Sequence, residues 1–107
     1  MSQFKQNLQG LPAIDHLKSL EVKSANTSEP VLIIENKPGK SGSLAVYYYL
    51  KSEFGALTVD AATRGLGLFA EYANEARLKP GSHPNIDFLL ALIENDEEYE
   101  VLVNRAE

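Results

Sequence analysis

The chain has 107 residues, 44% hydrophobic and 23% charged, a balance that argues against disorder and fits one domain over residues 1–107. It has no cysteine, which removes disulfides, thiolate metal sites and cysteine nucleophiles and fits a reducing compartment. The formal net charge of −5 is uneven: residues 1–51 hold six lysines against four acids, and residues 52–107 hold four bases against eleven acids.

The acidic excess peaks at "ENDEEYE", where five of the seven side chains of residues 94–100 are carboxylates. Such a run repels phosphates, so no nucleic-acid partner is expected. The opening "MSQFKQNLQGLP" lacks the apolar core of a signal peptide. No segment approaches the ~18 apolar residues of a spanning helix. The expectation is a soluble, cytoplasmic protein with no membrane partner.

Residues 3–8 predict a short helix that ends at Gly10, with Phe4 and Leu8 on one face docking on the body. "LKSLEVKS" (17–24) alternates as a strand, Leu20 and Val22 inward and Glu21 and Lys23 outward. "ANTSEP" reads as a turn. "VLIIE" (31–35) is a continuous apolar run, as expected of a strand covered on both faces or lying centrally in a sheet. The short connection makes the two strands an antiparallel hairpin.

Three helices are expected next. One runs from about Ser43 to Phe54, closed by Gly55. One runs from about Val59 to Leu78, capped by Thr58 or Asp60, with Val59, Ala62, Leu66, Phe69, Ala73 and Ala76 as its packing seam. Gly65 and Gly67 lie inside it and are explained if another backbone approaches closely. The third, Asn85–Glu94, is apolar on nearly every side and is expected to be largely buried. "EYEVLV" (98–103) alternates as a last strand. The result is an α+β fold: a small, mainly antiparallel three-stranded sheet, made of the hairpin and the C-terminal strand, with three to four helices packed on it. Nothing in the sequence decides which hairpin strand the last strand meets.

"PGKSGS" after an apolar run imitates a nucleotide-binding phosphate loop. That motif needs a glycine at position 34, and Ile34 stands there. What remains is a helix start with spare amides near Gly42, Ser43 and Leu44 beside Lys37 and Lys40, a surface receptive to anions. The competing reading makes Ser41 or Ser43 a cap and the glycines a turn. "HPNID" offers His83, Asn85 and Asp87, with Asn85 as a helix cap and Asp87 in the first turn as the simpler reading. With two histidines and no cysteine, no metal or cofactor is expected. In "YYY" (47–49), Tyr47 shares a face with Val46, Leu50 and Phe54 and is expected to be buried. Tyr48 or Tyr49, beside Lys51, is then left for a surface interface.

Through "ENKPGKSGSLAVYYYL", "GLGLFAEYANEAR" and "PGSHPNIDFLL" the chain resembles a small bacterial family of uncharacterised proteins of about this length, a domain-of-unknown-function family. The resemblance covers most of the chain from the first strand onward. It rests on Asn36, Pro38, Gly39, Gly42, Ser43, Leu44, Glu71, His83, Pro84, Asn85 and Asp87. It implies a bacterial, stand-alone, soluble protein and supplies no activity. The tyrosine triplet lies outside it.

The leading functional expectation is a non-enzymatic interaction or regulatory domain, its partner a protein or a small anionic ligand. Its binding set would be Asn36, Lys37, Gly39, Lys40, Gly42, Ser43, His83, Asn85 and Asp87, with Tyr48, Tyr49 and Lys51 as an interface. The alternatives are a small enzyme or metal site built on His83, Asp87 and Glu71, and a structural homodimer. Everything turns on whether the 37–43 loop and the 83–87 turn are neighbours.

Overall fold

The computed structural model describes residues 3–24, 26–27 and 29–106. Ala25 and Ser28, two residues of the expected turn, lie outside this range. The order is α1 (Gln3–Gln9), β1 (Leu17–Lys23), β2 (Pro30–Glu35), α2 (Ser41–Phe54), α3 (Val59–Phe69), α4 (Glu71–Leu78), α5 (Pro84–Glu94) and β3 (Glu100–Arg105). The fold is α+β, with five helices among the described residues rather than three to four.

The sheet order is β2-β1-β3, antiparallel throughout. The C-terminal strand therefore pairs with the first hairpin strand, and β1 is central. Leu20 and Val22 of β1 point inward and are fully buried, as their alternation requires. "VLIIE" is not the covered central strand its composition indicates. As β2 it lies at the edge, with Ile34 buried but Val31 54% and Ile33 53% exposed. Alternation puts Val31 and Ile33 on the face that carries no helix, so an unbroken apolar run does not prove that both faces are covered.

Helices pack on the other face. α2 lies on β1 and β2, and α3 packs against α2 and α5. Leu44, Val46, Tyr47 and Leu50 of α2 join Leu20, Ile34, Leu89 and Leu92 in one apolar core. Among the described residues no polar or charged side chain is buried except Tyr47. Thr58 caps α3, its Oγ1 accepting from the Ala61 N–H at 3.1 Å. Gly55 closes α2, its N–H donating to the Lys51 carbonyl at 2.8 Å.

The long helix expected over 59–78 is broken in two. Ala70 takes φ 55 and ψ −119, ending α3 and starting α4. No glycine or proline marks the break, so tertiary packing overrides local propensity there. The bend directs Phe69 and Tyr72 onto the ring of Phe4, at centroid distances of 5.5 and 5.2 Å. A positive φ at a residue with a Cβ stores about 1–3 kcal/mol. Ala70→Gly is accordingly expected to stabilise the protein by about 1 kcal/mol in urea unfolding; an unchanged midpoint would show the bend to be unstrained.

Candidate functional site

α2 begins at Ser41, two residues earlier than its expected start, with Lys40 as N-cap and no side chain capping it. The Ser41 N–H donates to the Lys37 carbonyl and the Leu44 N–H to the Lys40 carbonyl, each at 3.1 Å. The Gly42 and Ser43 N–H groups between them have no acceptor among the described residues. Such orphan donors at a helix start carry its partial positive charge. Neither Ser41 nor Ser43 acts as the cap that the simpler reading requires.

α5 opens in the same way. His83, not Asn85, is its N-cap, again without a side-chain cap bond, and Pro84 stands at the first turn. Proline has no N–H. The Ile86 and Asp87 N–H groups both donate to the His83 carbonyl, at 3.0 and 2.9 Å. That leaves the Asn85 N–H without an acceptor among the described residues. A partly buried bond joins the two helices: the Tyr47 hydroxyl of α2 donates to the Asn85 carbonyl at 2.5 Å.

Both helix starts border a single cleft of about 680 Å³. Its polar rim is Gly39–Ser43 on one side and Ser82–Asn85 on the other. Its apolar walls are Phe4, Leu8, Leu32, Phe69, Tyr72 and Ile86. The loop and the turn that the sequence leaves apart are therefore neighbours. Gly42 sits at the contact between α1 and α2, where a Cβ would lie 3.0 Å from Phe4 Cζ and press on that ring.

Six of the expected binding residues border this cleft: Gly39, Lys40, Gly42, Ser43, His83 and Asn85. The other three do not line it. Asn36 Nδ2 donates to the Ile14 and Leu17 carbonyls at 3.0 and 2.9 Å, tying the loop to the start of β1. Lys37 pairs with Glu35 at 2.8 Å and holds that carboxyl below its usual range through a hydrogen bond and charge attraction. Asp87 accepts from the Gly81 N–H at 2.8 Å.

The three residues named for an enzyme each have another neighbour. Glu71 Oε1 accepts from the Phe4 N–H at 3.0 Å. The carboxylate beside His83 is Glu75: Nε2 lies 3.3 Å from Glu75 Oε1, out of line for a hydrogen bond, and has no other partner among the described residues. Among the described residues no group of three or more acidic or histidine side chains is arranged to hold a metal.

The tyrosine surface is elsewhere. Tyr48 and Tyr49 are both half-buried. The Tyr48 hydroxyl lies 3.3 Å from His16 Nε2, and Arg64 sits 6.0 Å from the Tyr49 ring centre. Lys51 Nζ donates to the Gly55 carbonyl at 2.8 Å. Tyr47 is fully buried, as expected, and Phe54, two turns further along the same face, is 40% exposed. The cleft's aromatic wall, Phe69 and Tyr72, is absent from the expected set. Its signal was the three-residue spacing of two rings, legible as core packing but not as a wall.

Fold and site define a small two-layer α+β domain with one cleft between helix starts. The chain belongs to DUF2322, a family described as an uncharacterized protein conserved in bacteria, whose model matches residues 4–103. No match to the chain is found among curated proteins or solved structures.

Proposed function

We propose that this domain is a non-enzymatic binding module whose cleft takes a small anionic molecule with an apolar body. One observation carries the reading: two uncapped helix starts, from α2 and α5, border the same apolar-walled hollow. The spare amides of Gly42, Ser43 and Asn85, with the Lys40 ammonium on the rim, suit a carboxylate or phosphate head. Each charge–dipole contribution is only about 0.3–1 kcal/mol at an exposed helix end. Burial of the apolar body, at about 0.8 kcal/mol per methylene, would set the affinity. A cleft of this size with mainly apolar walls and few convergent polar groups has the general form of a small-molecule site.

Titration with decanoate, decanol and inorganic phosphate, followed by backbone amide resonances, tests this. Decanoate is expected to shift Gly42, Ser43 and Asn85 together, and phosphate to shift the same amides more weakly. Decanol should perturb the aromatic wall and leave those amides nearly unmoved. Absence of any shift at the three amides with decanoate and phosphate would sink the reading.

A further inference from the structure

The geometry points to α1 as a hinged lid over the cleft, opening by local unfolding while the rest of the fold stays closed. α1 has seven residues and none of them is buried. Helices shorter than about 12–15 residues are marginal by themselves in water. α1 is therefore held by its docking, and the docking is concentrated in few places. The Phe4 ring lies on Phe69 and Tyr72 and against Gly42. Asn7 Nδ2 donates to the Leu68 carbonyl at 3.0 Å, and the Phe4 N–H donates to Glu71 Oε1 at 3.0 Å. These anchors sit on α2, α3 and α4, and Phe4, Lys5 and Leu8 form part of the cleft wall. Beyond Gln9 the chain crosses Gly10, Leu11 and Pro12, exposed or half-buried, before it enters the sheet. That stretch is the hinge.

The consequence for binding rests on the cleft being the ligand site; the opening itself does not. A molecule in the cleft that touches Phe4 and Leu8 binds the docked state better than the open one. Occupancy and closure then reinforce each other, since a ligand shifts an equilibrium by its differential affinity for the two states. Phe4 is the latch, and the small residue at Gly42 is what lets it seat.

Amide hydrogen exchange on the intact, ligand-free chain across a low-urea series tests the lid. The Leu8 and Gln9 amides are expected to exchange at least ~100-fold faster than that of Leu89, with little dependence on urea, as for a local opening. If they exchange as slowly as Leu89, and with the same urea dependence, α1 opens only when the whole fold does, and the lid is refuted. In Phe4→Ala, α1 amides should lose all protection while α3 and α5 amides stay protected. Loss of the whole pattern in Phe4→Ala would assign α1 to the cooperative core instead. Added decanoate should slow α1 exchange. If decanoate fails to shift Gly42, Ser43 and Asn85, the cleft reading fails, and the ligand-free exchange still decides the lid. If it shifts them and α1 exchange is unchanged, closure on the ligand is refuted.

Discussion

Replacing Tyr47 by phenylalanine is expected to cost about 0.5–1.5 kcal/mol of stability, the net worth of one such hydrogen bond. The side chain is fully buried, and its hydroxyl donates to the Asn85 carbonyl. The substitution keeps the ring and its packing, so the loss reports the hydroxyl. It also has a signature in alkali. Burial raises the Tyr47 pKa above its ordinary value, since the interior disfavours the phenolate. The folded state thus holds this proton more tightly than the unfolded chain. The associated stability is fully present below about pH 10, where unfolded tyrosine titrates, and is lost as pH rises beyond it. The expected slope above that point is about 1.4 kcal/mol per pH unit for one such group. Tyr99 contributes in the same direction, through burial and the neighbouring Glu97 carboxylate. Urea unfolding of wild type and Tyr47→Phe between pH 8 and 11 separates the two, because the variant should keep only the Tyr99 share. Identical slopes would mean that Tyr47 ionises without unfolding the protein.

The second large effect distinguishes two glycines two residues apart on α3. At Gly65 a Cβ would stand 2.9 Å from Leu50 Cδ1 and 3.0 Å from Leu89 Cδ1. Both leucines are fully buried, so neither tip has open space to retreat into. Overpacking of this kind costs about 1–3 kcal/mol. It outweighs the roughly 1 kcal/mol that alanine gains over glycine within a helix. Gly65→Ala is therefore expected to destabilise by up to about 2 kcal/mol. At Gly67 nothing lies within 4 Å of the same atom. Gly67→Ala is expected to stabilise by about 1 kcal/mol. Opposite signs in urea unfolding identify packing as the reason for Gly65. Equal signs would show helix propensity alone at work. Close approach of a backbone, the reason expected for both glycines, holds for neither: the neighbours of Gly65 are side-chain tips, and Gly67 has none.

The parts of this fold legible in the sequence are those fixed by local rules. The Leu20–Val22 alternation, the Thr58 cap, the Gly55 stop and the shared face of Phe4 and Leu8 each follow from spacing or capping chemistry within a few residues. What stayed hidden depends on distant neighbours. The reversal at Ala70 occurs in "FAEYA", which has no breaker residue. The edge position of β2 is decided by β3 pairing with β1. For the cleft, both polar rims were visible as "PGKSGS" and "HPNID". Their adjacency was not, because it is made by Tyr47 reaching across to Asn85. His83 illustrates the limit well. Sequence proximity offered it Asp87, whereas the fold gives it Glu75 from another helix.

The central place of β1 also bears on how the nascent chain matures. Leu17 to Lys23 pairs on one side with β2, close by in sequence, and on the other with Glu100–Arg105 at the far end of the chain. Pairings of such long separation form late, after the local contacts that close smaller loops. During synthesis the hairpin and the helices emerge while one side of β1 still has nothing to bond. Its free amides and carbonyls stay open to a neighbouring nascent chain until β3 is made. Removing Glu100–Arg105 would leave that state permanent, turning a transient vulnerability into a standing invitation to aggregate.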